Sequence, residues 1–119
     1  MSKIVIIGAG AMGSAFALPC LDNNHDTNII GTHLENEFIN DLKNNKNLHP
    51  SLGINIPEGI KIFKFDEFNN LFKSNVDLIV LGISSKGIEW VSKQLISIAK
   101  DNKLPNILML TKGLSINEN

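Results

Sequence analysis

Near its amino terminus the chain contains Lys3-Ile4-Val5-Ile6-Ile7-Gly8-Ala9-Gly10-Ala11-Met12-Gly13, an apolar run that leads into three glycines spaced G-x-G-x-x-G. The apolar run predicts a buried strand, and the small residues that follow it suit a helix. In such a unit Gly8 allows the tight turn, Gly10 lets backbone approach a pyrophosphate, and Gly13 lets the helix pack close to the sheet. Because a helix N-terminus offers free N–H groups to phosphates, the stretch predicts dinucleotide binding.

Composition limits the classes of partner. The 119 residues fit one domain, and the formal net charge is −1 with acids and bases mixed along the chain. No basic stripe is present, so we expect neither nucleic acid nor an anionic membrane as a partner. The first apolar stretch is too short and too rich in glycine for a membrane span. Cys20 is the only cysteine, which we expect to be buried on the first helix, in a protein of the reducing cytoplasm.

Predicted strands alternate with predicted helical segments. The strands are Lys3–Ile7, Thr27–Gly31, Ile60–Phe63, Asp77–Gly82 and Ile107–Leu110. The helical segments are Ala11–Asn24, Glu35–Asn44, a turn capped by Asp66 that runs to Phe72, and Gly87–Lys100, while Asn45–Gly59 is predicted to be a loop. With right-handed crossovers this alternation predicts an α/β Rossmann-type doubly wound, mainly parallel sheet of order 3-2-1-4-5, with helices on both faces.

Topology alone places a candidate site at the carboxyl ends of the strands, where the strand order reverses. The segments that meet there are Gly8–Gly13, Gly31–His33, Gly82–Ser85 and Thr111–Gly113. Within them Ser84 and Ser85 have side chains that can bond cofactor or substrate, or can simply cap the following helix.

The residues at the end of the second strand usually indicate whether such a fold prefers NAD or NADP. An acid about 20 residues after the third glycine usually binds the adenosine ribose, and here that position is His33. Thr32 and His33 can donate hydrogen bonds to a 2′-phosphate, and Glu35 can serve NAD if the loop curls back. We therefore expect NAD or NADP as cofactor, with NADPH binding within roughly tenfold of NADH.

Four further side chains are candidates for chemistry or packing. Lys112 directly follows the last strand, where a lysine can steer a phosphate, polarise a carbonyl oxygen or simply face solvent. His25 and His49 have no second ligand at metal spacing, so no metal site is expected. Trp90 is assigned to core or interface packing.

The chain resembles a known family through six segments. These are G-A-G-A-M-G at 8–13, Gly31-Thr32-His33, Asn47-Leu48-His49-Pro50, Ile54-Asn55-Ile56-Pro57, Asp77–Ser85 and Thr111-Lys112-Gly113-Leu114. Together they resemble the N-terminal half of NAD(P)-dependent glycerol-3-phosphate dehydrogenase, especially its prokaryotic and archaeal forms. The resemblance covers essentially the whole chain, and Thr-Lys-Gly-Leu is its most specific element.

The resemblance implies reduction of dihydroxyacetone phosphate to sn-glycerol 3-phosphate by hydride from the nicotinamide. It implies that Lys112 touches cofactor and substrate, that the backbone of Ala11 and Met12 follows the pyrophosphate, and that Thr32 lies near the adenine ribose. Ser84 departs from the proline that many members have.

The family also has a helical second domain that carries the proton-transfer lysine and the phosphate-binding pair. We therefore expect residues 1–119 to be an NAD(P)-binding domain whose C-terminal partner domain is absent. Such a chain should self-associate, as a homo-oligomer or aggregate, and should not turn over substrate alone.

Two alternatives stay open at this point. Ketopantoate reductase also opens with G-A-G-A-M-G, although Thr32-His33 and Lys112-Gly113 depart from its pattern. A non-catalytic nucleotide-binding module would need only the glycine loop.

Overall fold

The computed structural model describes residues 2–100 and 104–110. Its elements, in chain order, are β1 (Lys3–Ile7), α1 (Ala11–Asp22), β2 (Asp26–Ile30), α2 (Asn36–Asn44), β3 (Leu48–His49), β4 (Ile54–Asn55), β5 (Lys61–Phe63), a 3-10 turn (Phe65–Glu67), α3 (Phe68–Leu71), β6 (Leu78–Leu81), α4 (Ser85–Ala99) and β7 (Asn106–Met109). The main sheet has the order β5-β2-β1-β6-β7, and all of its neighbouring strands are parallel. Counted along these strands the order is 3-2-1-4-5, so the predicted Rossmann-type topology is confirmed.

The sheet is covered by a hydrophobic core on each of its two faces, and successive side chains of β1 point alternately into one core and the other. Ile4 and Ile6 belong to one core, whose helical members are Ala17, Cys20, Ile39 and Leu42 of α1 and α2. Val5 and Ile7 belong to the other, whose helical members are Phe68, Leu71, Val91, Leu95 and Ile98 of α3 and α4. This two-sided burial explains why the strand sequence is continuously apolar rather than alternating.

Cys20 lies in the first of these cores, as expected. The residue is 7% exposed, and burial raises the pKa of its thiol. Because the thiolate is the reactive form, the buried Cys20 thiol acts as a small packing group.

The segment predicted to be a loop contains a short antiparallel hairpin, in which Leu48 pairs with Asn55 and His49 with Ile54. Glycine and asparagine make it possible, since Asn47 and Gly53 have φ values of 60° and 66°. The prediction that Asp66 caps a helix was wrong. Asp66 lies inside the 3-10 turn, and neither that turn nor α3 has a side-chain cap.

The strand β7 is exposed along its whole length. Within residues 2–100 and 104–110 its one sheet neighbour is β6. Within the described residues no helix has the length and apolar character needed to cross a membrane.

Candidate functional site

Three glycines bring β1, α1 and β6 into close contact. Gly8 has φ of 112°, and a β-carbon there would collide with the carbonyl oxygen of Gly82. A β-carbon at Gly13 would lie 2.6 Å from the carbonyl oxygen of Gly8, and one at Gly82 would lie 2.8 Å from the Cα of Gly13. The tight turn at Gly8 and the close helix packing at Gly13 are thus present as the spacing predicts.

Gly10 differs from these three glycines. Its φ of −69° and ψ of −178° are accessible to any residue. Among the described residues, no atom lies within 4 Å of a β-carbon added at Gly10. The missing side chain therefore leaves open space in front of α1 and serves no packing need of the fold.

That space belongs to a cavity of about 530 Å³ at the carboxyl ends of β1, β2 and β6. Its lining residues are Gly10, Thr32, His33, Leu34, Glu35, Gly82, Ile83, Ser84, Gly87 and Trp90. The predicted site residues Gly10, Thr32, His33 and Ser84 are therefore brought together. The cavity is large enough for part of a dinucleotide and combines a few polar groups with an apolar wall.

The remaining predicted site residues lie at the starts of α1 and α4 or outside the described residues. Ala11 and Met12 begin α1, are exposed, and precede the first paired amide of the helix, which Ser14 donates to the carbonyl of Gly10. The residue before α1 is Gly10, which has no side chain to cap the helix, so within the described residues the leading N–H groups of α1 are available to an anion. Ser85 is the first residue of α4. Lys112 and its neighbours Thr111 and Gly113 lie outside the described residues.

Ser84 occupies the position before α4 in extended backbone, but its hydroxyl makes no cap hydrogen bond. The capping role considered for it is therefore absent. Its exposed hydroxyl lines the cavity instead.

Glu35 joins the loop after β2 to the glycine loop. Its Oε1 accepts hydrogen bonds from the backbone N–H of Thr32 at 2.9 Å and of Ala9 at 3.1 Å, and Oε2 is 3.3 Å from the same Ala9 nitrogen. The loop after β2 does curl back toward the glycine loop, which was the condition for Glu35 to serve NAD. The cavity therefore has a carboxylate beside Thr32, although the acid is not at the expected position 33.

The carbonyl of Ala9 is fixed from the opposite side. His49 is 1% exposed, and its Nε2 is 2.9 Å from that oxygen. Because a carbonyl only accepts, Nε2 must carry the proton. Ser14 Oγ donates to the same oxygen at 3.2 Å. The N–H and the carbonyl of Ala9, which belong to two successive peptide groups, are thus both held, and these bonds fix the start of the glycine loop.

The cost of replacing His49 should depend on ring volume more than on its hydrogen bond. Its Nδ1 is buried without a hydrogen-bond partner among the described residues. His49→Phe loses the hydrogen bond of Nε2, which destabilises the fold, but it also removes the unpaired Nδ1 acceptor, which stabilises it. Because these two effects roughly offset each other, the free energy of unfolding should change by no more than about 1 kcal/mol. His49→Ala should lose about 3 kcal/mol, because it leaves a cavity beside Phe38, whose ring is 5.4 Å from the imidazole.

Chemical denaturation of the two variants makes the comparison directly. Equal losses in His49→Phe and His49→Ala would contradict this account. They would show that the bond to Ala9 dominates.

The sequence did not indicate that Trp90 lines the cavity, and it indicated a role for Glu35 only under a condition. Trp90 was assigned to packing, and it does pack against the core beside α4, but it also lines the cavity. Its helical position one turn after Gly87 was the available signal, since Gly82–Ser85 were already placed at the site. Glu35 was considered only conditionally, because the direction of its side chain cannot be deduced from spacing.

Among residues 2–100 and 104–110, no group of three His, Cys, Asp or Glu side chains is arranged to hold a metal ion.

The comparison with known families decides the assignment. The family described as NAD-dependent glycerol-3-phosphate dehydrogenase N-terminus matches residues 3–119. The chain belongs to this family. The match favours it over the ketopantoate reductase alternative, and the expected resemblance is confirmed.

Relatives agree with the family match. The NADP(+)-dependent glycerol-3-phosphate dehydrogenase of Archaeoglobus fulgidus is 32% identical over 111 residues, which cover 93% of this chain and 31% of that protein. The glycerol-3-phosphate dehydrogenase [NAD(P)+] of Fusobacterium nucleatum is 36% identical over 117 residues, covering 96% and 32% respectively. The chain thus spans about a third of the length of these relatives.

Solved structures agree on the fold. A structure described as RSP in complex with beta-NADH, and one described as RSP, a Rex-family repressor, both match with a TM-score of 0.54 at 16% identity. They cover 93% of this chain and 53% and 52% of the respective solved chains. At this identity the likeness supports the Rossmann-type fold.

Proposed function

We propose that this chain is the dinucleotide-binding part of an NAD(P)-dependent glycerol-3-phosphate dehydrogenase. The whole enzyme would interconvert dihydroxyacetone phosphate and sn-glycerol 3-phosphate, with a C-terminal region as the partner that completes the site. The observation that carries the proposal is the open cavity over Gly10, at the strand ends where such folds bind dinucleotides. We also place the protein in the cytoplasm, because its one cysteine is a buried free thiol.

The residues of the cavity fit a dinucleotide. The leading N–H groups of α1 are available to the pyrophosphate, and the open space at Gly10 lets it approach the backbone. Thr32, His33 and Glu35 would face the adenosine half, and Ser84, which follows β6, would lie on the other side of the cavity. When bound, the nicotinamide would exchange a hydride with the carbonyl carbon of the substrate.

Two groups that the proposed reaction needs are not among the residues that the structure describes. By the family resemblance Lys112 would contact cofactor and substrate, where its ammonium group would polarise the carbonyl oxygen. The resemblance assigns the proton that this oxygen must also gain to the helical domain of the family.

Substrate-dependent oxidation of NADH tests the reaction. We expect the 119-residue chain to bind NADH without reducing dihydroxyacetone phosphate, since the proton-transfer group is worth about 10²–10⁴-fold in rate. A chimera that joins this chain to the C-terminal two thirds of the Fusobacterium relative should reduce the substrate, and Lys112→Met should abolish that activity. A chimera that binds NADH but leaves dihydroxyacetone phosphate unreduced would contradict the proposed reaction.

Glu35 should influence cofactor choice. Its carboxylate lines the cavity beside Thr32 and would repel a 2′-phosphate, although its two amide contacts moderate that charge. Glu35→Gln removes the charge and keeps one acceptor oxygen. We expect the ratio of NADPH to NADH affinity to rise by about tenfold, which corresponds to about 1.4 kcal/mol.

Calorimetric titration with both cofactors measures this ratio. Glu37→Gln is the matched control, because it removes the same charge from an exposed position two residues away. An equal shift in both variants would attribute the effect to net charge and contradict a local role for Glu35.

A further inference from the structure

Three aromatic rings from separate segments meet at one end of the cavity. Trp90 lies on α4, His33 follows β2, and Phe65 follows β5. The His33 and Trp90 rings have centroids 4.6 Å apart and planes inclined by 33°. The Phe65 and Trp90 centroids are 5.1 Å apart, and those of His33 and Phe65 are 6.4 Å apart. His33 and Trp90 both line the cavity.

The rings differ in how firmly they are held. Trp90 and Phe65 are half-buried and pack against the core beside α4. His33 is exposed and lies in the segment between β2 and α2, next to Leu34, which is 82% exposed. The indole is thus the more firmly held ring, and the exposed imidazole that covers it is the ring with more room to move.

The position of the indole indicates what it would bind. The leading amides of α1 suit the pyrophosphate, and the residues after β2 suit the adenosine ribose. Trp90 lies beside His33, at the β2 side of the cavity, and therefore at the adenine end of a bound dinucleotide. Gly87, one helical turn earlier and also a lining residue, has no side chain to cover the ring.

We propose that Trp90 is the platform on which the adenine ring of the cofactor stacks, in the place that the His33 imidazole covers in this structure. The inference rests on the proposed dinucleotide site and adds a specific contact to it. Stacking a base on an aromatic side chain strengthens binding without reading polar edges. Trp90 would therefore contribute about equally to NADH and NADPH, whereas Glu35 would separate them.

Fluorescence tests the contact without any mutation. Trp90 is the only tryptophan and the chain has no tyrosine, so intrinsic emission reports on this site alone. ADP-ribose contains the adenine and pyrophosphate but no nicotinamide, and should quench the indole saturably. Nicotinamide mononucleotide, which lacks adenine, should leave the emission unchanged. Quenching by nicotinamide mononucleotide and not by ADP-ribose would overturn the assignment of this end of the cavity to adenine.

Affinities measured by calorimetry supply the second test. Trp90→Leu should weaken ADP-ribose binding about tenfold, and Trp90→Phe, which keeps a flat ring, should stay within about threefold of the wild type. Cooperative thermal unfolding of both variants checks their folding. If the wild type binds NADH, and Trp90→Leu binds ADP-ribose with the same affinity as the wild type does, the stacking inference is wrong and the proposed function stands. If the wild type does not bind NADH, the proposed function itself fails.

Discussion

Gly10→Val should fold like the wild-type chain and lose at least about a hundredfold in NADH affinity, equivalent to about 2.7 kcal/mol. The backbone at Gly10 is already in an extended conformation that suits a β-branched residue, and an added β-carbon meets nothing within 4 Å. The valine methyl groups would instead extend into the cavity, where the pyrophosphate must approach the start of α1. Calorimetric titration with NADH, alongside thermal unfolding, measures both parts of the prediction.

Gly10→Ala is the matched control for this experiment. One methyl group fills less of the open space, so binding should weaken less than in Gly10→Val while stability stays within about 1 kcal/mol of the wild type. Wild-type affinity in Gly10→Val would show that the dinucleotide does not pass over this position.

Gly13→Ala should be the most destabilising of the single-methyl substitutions considered. The new β-carbon would lie 2.6 Å from the carbonyl oxygen of Gly8 and 3.1 Å from Cγ2 of Ile6. The first of these neighbours is backbone, so α1 must move away from the sheet to relieve the contact. We expect a loss of about 3 kcal/mol, after allowing for the roughly 1 kcal/mol that alanine gains over glycine inside a helix.

For a domain of this size the midpoint of thermal unfolding should then fall by more than about 10 °C. Gly10→Ala and Gly13→Ala carry the same chemical change three residues apart, so their difference isolates the packing of α1 on the sheet. Equal midpoints in the two variants would contradict the close packing described here.

Much of the fold could be predicted because local signals agreed. The alternation of apolar strands with helical segments, together with the right-handed crossover rule, was sufficient for the order of the parallel strands. The three-glycine spacing likewise predicted the tight turn at Gly8, the close packing of the helix at Gly13 and the open backbone at Gly10. The hairpin at Leu48–Asn55 was not predicted, because strands of two residues leave no periodicity to detect.

The site could be predicted in part only. Topology placed Gly10, Thr32, His33 and Ser84 together, since parallel strands end at one edge of the sheet. The contacts of Glu35 with the Ala9 N–H and of His49 with the Ala9 carbonyl depend on side-chain direction and on how a long loop returns, which sequence spacing does not determine. Trp90 packs against the core and also lines the cavity. Its spacing along the helix indicated the packing role but not the cavity role.

The most direct test of the central claim is a titration of the isotopically labelled chain with NADH, followed by amide chemical shifts. The account predicts saturable shifts concentrated in three segments, Gly8–Gly13, Thr32–Glu35 and Gly82–Trp90, with the exposed hairpin residues Leu48 and Ile54 unaffected. Saturable binding whose shifts fall mainly outside these segments, or no binding at all, would contradict the assignment of this cavity to the dinucleotide.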